Sequence, residues 1–114
     1  MIQSTRHKQA LDYALQAIRT SPVFPYIVDV YLCGSCARQT ETWGSDVDLL
    51  VELHSSDTLP DILRKPIRLL KTDVMTDNVM DPEVDLKFVY GDDWRRSTML
   101  FYENVRNEGV RLCL

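Results

Sequence analysis

The chain has 114 residues, a formal net charge of −4 at pH 7 and 45% hydrophobic residues. This length predicts one domain over residues 1–114, with a single core and no second large substrate-binding domain. The acidic balance argues against a nucleic-acid partner, because proteins that bind nucleic acid usually carry a basic surface. No apolar run approaches the roughly 20 residues that cross a bilayer. Residues 1–8 carry no signal-peptide core. We therefore expect a cytoplasmic protein with no membrane partner.

The first predicted element is an amphipathic helix over residues 4–20. Apolar side chains recur along it at helical spacing: Leu11, Leu15 and Ile18. Ser4 or Thr5 can cap the helix, and Ser21-Pro22 ends it. His7 falls on the polar side of this pattern, so we expect it at the surface. The apolar run at residues 27–32 then predicts a strand that is covered on both faces.

A Gly-Ser pair follows this strand. Gly34 permits a sharp turn and a close approach to a ligand, and Ser35 stands where a helix can begin and offer N–H groups to a phosphate. Cys33 and Cys36 flank the pair as a CxxC, which thiol-disulfide oxidoreductases also place at a strand-to-helix turn. A thiol-redox protein is therefore one alternative, although it leaves the aspartates described next unexplained.

An acidic pair opens the second predicted strand, residues 46–53. Its alternate positions are apolar: Val47, Leu49, Val51 and Leu53. Asp46 and Asp48 therefore share the opposite face. Two neighbouring carboxylates disfavour each other's ionisation unless a cation lies between them, and oxygen ligands suit Mg²⁺ or Mn²⁺. Taken alone, the pair is better explained as a solvated strand end than as a metal site.

The stretch between residues 55 and 82 carries a weaker pattern. We expect a helix over residues 59–72 that Pro66 breaks or restarts. Its basic residues are expected to face solvent rather than a phosphate group: Lys65, Arg68 and Lys71.

A third acid lies in the strand predicted over residues 83–90. Its alternate positions are again apolar: Val84, Leu86, Phe88 and Tyr90. If both strands cover the same core, Asp85 must share the face of Asp46 and Asp48. Three carboxylates beside a phosphate-binding turn favour a two-metal site for phosphoryl or nucleotidyl transfer.

The last predicted element is a helix that starts near Asp93 and stops at Gly109. One side of it is expected to pack on the core: Trp94, Thr98, Phe101 and Val105. Arg95 and Arg96 lie near enough to its start to reach phosphates. The apolar tail at residues 112–114 is expected to dock on the domain or on a partner.

The order of these features resembles the signature of the DNA-polymerase-beta-like nucleotidyltransferase superfamily, and most closely its minimal nucleotidyltransferases. The resemblance is carried by Gly34-Ser35, ten intervening residues, Asp46-Val47-Asp48 and an aliphatic run. Ala37-Arg38 also resembles the family pattern, Asp85 falls where the family has its third carboxylate, and Gln39 replaces a usual glycine. The resemblance implies the palm-like α/β (α+β) fold, a small mixed β-sheet with helices packed on one face.

The resemblance also implies an activity, which is transfer of a nucleoside monophosphate to an acceptor hydroxyl. We expect AMP from ATP, although another nucleoside triphosphate fits the same residues. The implied catalytic residues and ligands of two Mg²⁺ ions (or Mn²⁺) are Asp46, Asp48 and Asp85. The implied nucleotide-binding residues are Gly34, Ser35 and Arg38.

Minimal members of this family often act beside a small helical toxin, which they modify. By this resemblance we expect a protein partner of that kind and the role of an antitoxin in a toxin-antitoxin pair. The alternative is a binding module that keeps the fold without catalysis.

Overall fold

The structure is a computed structural model and describes residues 2–114. In chain order the elements are α1 (Thr5–Arg19), β1 (Ile27–Cys33), α2 (Gly34–Arg38), β2 (Val47–Leu53), α3 (Arg64–Asp73), β3 (Val84–Tyr90), α4 (Leu100–Glu108) and β4 (Val110–Leu112). The strands form a sheet with the order β3-β2-β1-β4. Strands β2 and β3 are parallel, while β1 is antiparallel to both β2 and β4. The prediction of a small mixed sheet with helices is confirmed.

Helices α1 and α3 cover one face of the sheet and enclose the main core. The four apolar alternate positions of β2 all belong to this core: Val47, Leu49, Val51 and Leu53. A one-residue slip of β2 would replace them with Asp48, Leu50 and Glu52, so burial fixes the register strongly. The same alternation directs the side chain of Asp48 to the opposite face of the sheet.

A smaller apolar cluster covers part of that opposite face, where α4 packs. Its buried members are Cys33, Leu50, Val89, Trp94 and Val105. Beyond it, buried Glu52 accepts two hydrogen bonds from Arg95, at 2.5 and 3.3 Å, and Asp29 accepts one from Arg111 at 2.7 Å. Arg95 therefore neutralises a buried carboxylate and is committed to the fold instead of reaching for a phosphate.

Two predicted helices differ from those observed. Helix α3 begins at Arg64 rather than near residue 59, after a separate short turn over Asp61–Leu63. Near the C-terminus, Asp93–Arg95 forms only one 3₁₀ turn, and α4 starts at Leu100. Gly109 ends α4 as predicted, and the short strand β4, which has no clear sequence signal, follows it.

Candidate active site

The three predicted acids meet at one end of the sheet. Asp48 pairs directly with Asp85 in the parallel β2–β3 ladder, and with Cys33 on its other side in β1. Asp46 precedes β2 by one residue, and the N–H of Val47 donates to the carbonyl of Glu83 at 2.8 Å. Neighbouring strands lie about 4.8 Å apart, so the carboxylates of Asp48 and Asp85 share one face at close range. Their roles in catalysis and metal binding stay predictions.

The electrostatics of this end are unbalanced. Burial raises the pKa of Asp48 above its usual value, and the charges of Asp85 and Asp46 raise it further, while Arg38 opposes the shift. Within residues 2–114, no ion pair involves any of the three aspartates. Arg38 thus offsets only part of the negative charge of the cluster, and a bound cation would offset the rest.

The glycine turn lies directly against Asp48. Gly34 has a φ of +67°, and a Cβ at this position would lie 2.5 Å from Oδ2 of Asp48. Only glycine satisfies both the left-handed backbone and this close approach. Ser35 follows in the short helix α2, and Arg38 at its end forms an ion pair with Glu108 of α4 at 3.1 Å. The predicted nucleotide-binding residues thus adjoin the acids on the β1 side.

The loop that delivers Asp46 is fastened to the start of α1. Oε2 of Glu41 accepts the backbone N–H groups of Gln3 and Ser4, both at 2.8 Å. Nε2 of His7 lies 2.7 Å from the carbonyl of Ser45 and must donate to it, because a carbonyl only accepts. These contacts hold the backbone on both sides of residues 42–44 and so fix the position of Asp46.

His7 was therefore predicted wrongly as a surface residue. Only 1% of it is exposed, and its Nδ1 accepts from the Ser4 hydroxyl at 2.8 Å. It lies on the polar side of α1, but that side meets the loop before β2. Its partner Ser45 is 38 positions away, so no local pattern could have identified it.

The CxxC does not form a reactive thiol pair. Burial is the main cause that raises the pKa of Cys33 to about 12 and that of Cys36 to about 11. Both thiols are free and stay protonated at neutral pH. Cys36 donates to the carbonyl of Asp46 at 3.6 Å, so this thiol helps to hold the backbone of the acidic site. Buried, protonated thiols do not favour the thiol-redox alternative.

The donor chemistry of the site fits Mg²⁺, which prefers carboxylate oxygens. In the part of the chain that the structure describes, no three His, Cys, Asp or Glu side chains already enclose a metal position. The fit thus rests on the shared face of Asp48 and Asp85, on Asp46 beside them, and on the uncompensated charge that raises the pKa of Asp48.

A mixed sheet with this glycine turn and these acids defines the nucleotidyltransferase class of fold. A family model of the nucleotidyltransferase domain matches residues 14–107, and the chain belongs to that family. No curated protein matches the chain. No helix in residues 2–114 is long and apolar enough to span a membrane.

Solved structures that are similar to the chain include two toxin-antitoxins. One is a toxin-antitoxin with AMP-PNP, 24% identical, with a TM-score of 0.54, covering 90% of this chain and 71% of that chain. The other is a mutant of the toxin-antitoxin MntA-HpeT, 22% identical, with the same TM-score and coverage. At these identities the likeness establishes the shared fold.

Proposed function

We propose that this protein transfers AMP from ATP to the hydroxyl of an acceptor, and that Asp46, Asp48 and Asp85 hold two Mg²⁺ ions for the reaction. The observation that carries the proposal is the direct pairing of Asp48 with Asp85 on a face where Asp48 also touches the Gly34 turn. Membership of the nucleotidyltransferase family supports the reaction class.

The chain's own residues have distinct roles in this proposal. Gly34 leaves room for the Asp48 carboxylate, and Ser35 and Arg38 contact the phosphates that leave as pyrophosphate. Asp85 is exposed, and in this proposal it accepts the acceptor's proton as the acceptor's oxygen bonds to the α-phosphorus and the bond from the α-phosphorus to the leaving pyrophosphate breaks. When bound, Mg²⁺ supplies the positive charge that the triphosphate and the three carboxylates require.

For the acceptor we propose a protein, namely a small helical toxin that this chain modifies as its antitoxin. The support is that the two similar structures are both toxin-antitoxins, and that one of them holds AMP-PNP. A cytoplasmic location belongs to the same proposal. If instead the chain is an inactive binding module, it will associate with its partner without modifying it.

The test is incubation with Mg²⁺, the co-purifying partner protein and ATP labelled at either the α- or the γ-phosphate. We expect α-label on the partner and γ-label in pyrophosphate. Asp48→Asn should abolish this transfer, while Asp73→Asn should not, because Asp73 is an exposed acid on α3 across the sheet. No labelled partner, or equal transfer by both variants, would refute the proposal.

A further inference from the structure

An open groove of about 380 Å³ lies beside the acids on the side away from the Gly34 turn. We call it the Trp43 groove; it is lined by Arg6, Trp43, Asp46, Met80, Asp81 and Glu83, among others. Its walls are the loop before β2 and the loop before β3. Asp46 forms part of its lining, so a ligand there is contiguous with the proposed reaction centre.

Trp43 is an exposed aromatic residue that is held against Arg6. It is 68% exposed, yet the guanidinium carbon of Arg6 lies 3.7 Å from its ring centroid. Arg6 is itself fixed, because it donates to the carbonyl of Trp43 at 3.0 Å and to that of Met80 at 2.7 and 3.2 Å. One face of the indole is thus covered by Arg6, and the 68% exposure of Trp43 leaves further ring surface accessible for stacking.

The charge of the groove selects against phosphate. Asp46, Asp81 and Glu83 contribute carboxylates, whereas Arg6 is the single basic residue of the lining, and each of its three nitrogens already donates to a backbone carbonyl. An uncharged planar ring that carries amino groups suits these surroundings, because carboxylates accept hydrogen bonds from amino groups. The groove therefore has the character of a base pocket rather than a triphosphate pocket.

We infer that the Trp43 groove binds the amino-bearing base of the donor nucleotide, stacked on the open face of Trp43. This inference rests on the proposed function. It assigns the two sides of the acidic centre to different parts of one substrate: the phosphates lie toward Gly34 and Ser35, and the base lies toward Trp43. Specificity for the nucleotide then resides in the loops before β2 and β3.

Binding without turnover tests this assignment. Trp43 is exposed and Trp94 is buried, so the difference in fluorescence between the wild type and Trp43→Phe reports on Trp43. A Mg²⁺ complex of ATP with a non-cleavable α,β-bridge should quench this signal, and Mg²⁺-tripolyphosphate, which lacks a base, should not. By calorimetry, Trp43→Ala should weaken binding of the ATP analogue by about 5- to 150-fold, the range expected for base–aromatic stacking. Its affinity for tripolyphosphate should not change.

Trp43→Phe is the matched control, because it keeps an aromatic face and should bind the analogue within about threefold of the wild type. If the analogue binds but neither quenches Trp43 nor depends on it, the base lies elsewhere; the inference is then wrong while the proposed function stands. If a tyrosine-containing partner peptide quenches Trp43 and the analogue does not, the groove binds the acceptor and the inference is again wrong. Failure of both the analogue and tripolyphosphate to bind would refute the proposed function itself.

Discussion

Replacing Gly34 with alanine separates the backbone requirement of the turn from the position of Asp48. With a φ of +67°, alanine at this site costs about 1–2 kcal/mol, partly offset by the loss of about 0.4–1 kcal/mol of unfolded-state entropy. A net loss of about 1 kcal/mol lowers the melting temperature by about 4 °C in a domain of this size. The protein should therefore remain folded at 25 °C.

The effect on activity should be much larger. The new Cβ would lie 2.5 Å from Oδ2 of Asp48, whereas ordinary contact begins at 3.4 Å. The carboxylate must move by roughly 1 Å, and a displacement of that size costs about 100-fold in rate at a well-aligned site. We expect kcat/KM for transfer of the α-label to fall by about two orders of magnitude.

Gly91→Ala is the matched control. Gly91 has a φ of +79°, but its Cβ would meet nothing closer than 3.8 Å, and it follows β3 about 20 Å from Asp85. It should lose the same stability and keep its activity. If Gly34→Ala transfers label as fast as Gly91→Ala, the contact with Asp48 does not govern catalysis. If both variants lose activity equally, the loss reflects stability alone.

Substitutions at three further positions test the site and its support. The pKa of Asp48 is raised in the folded state, so ionised Asp48 destabilises the fold once the pH exceeds the usual pKa of an aspartate. Asp48→Asn should therefore unfold at a higher temperature than the wild type at pH 7. This difference in melting temperature should vanish near pH 3. Mg²⁺ should raise the melting temperature of the wild type more than that of this variant, and an equal rise in both would contradict a metal role for Asp48. His7→Ala should lower the free energy of unfolding in urea by about 2–4 kcal/mol and kcat by about 100-fold, because the carbonyl of Ser45 loses its buried donor. His7→Gln keeps a donor and should recover part of the stability and part of kcat. Equal losses in the two variants would show that the hydrogen bond to Ser45 is unimportant. Gln39→Gly should raise the free energy of unfolding by up to about 1 kcal/mol in the same assay, since Gln39 is exposed and has a φ of 60°. A loss of stability would show that the left-handed backbone at Gln39 is not strained.

The sequence predicts the central part of the sheet well because its patterns are local. Alternating apolar residues in β2 and β3 fix which side chains face the core, and this in turn places Asp48 and Asp85 on the other face. The turn at Gly34 follows from residue type alone. Its closeness to Asp48 depends on the pairing of β1 with β2, which a single sequence does not reveal.

The features that the sequence did not reveal depend on distant partners. Arg95 looks like a candidate for phosphate binding until buried Glu52, 43 positions earlier, is seen to hold it. The start of α4 was predicted too early because Trp94 and Val105 have helical spacing. Both residues lie in the same apolar cluster, but Trp94 belongs to a separate 3₁₀ turn and Val105 to α4. Tertiary packing overrides local periodicity in this region.

The attachment of the loop before β2 to α1 makes the position of Asp46 depend on the first turn of α1. Gln3, Ser4 and His7 contribute nothing to the reacting atoms, yet they hold the segment that carries one of the three acids. Fraying of the first helical turn would thus release Asp46, a proposed metal ligand, while the hydrophobic interior stays intact. The protein could therefore lose its proposed activity without unfolding, and Gln3, Ser4 and His7 would control that loss.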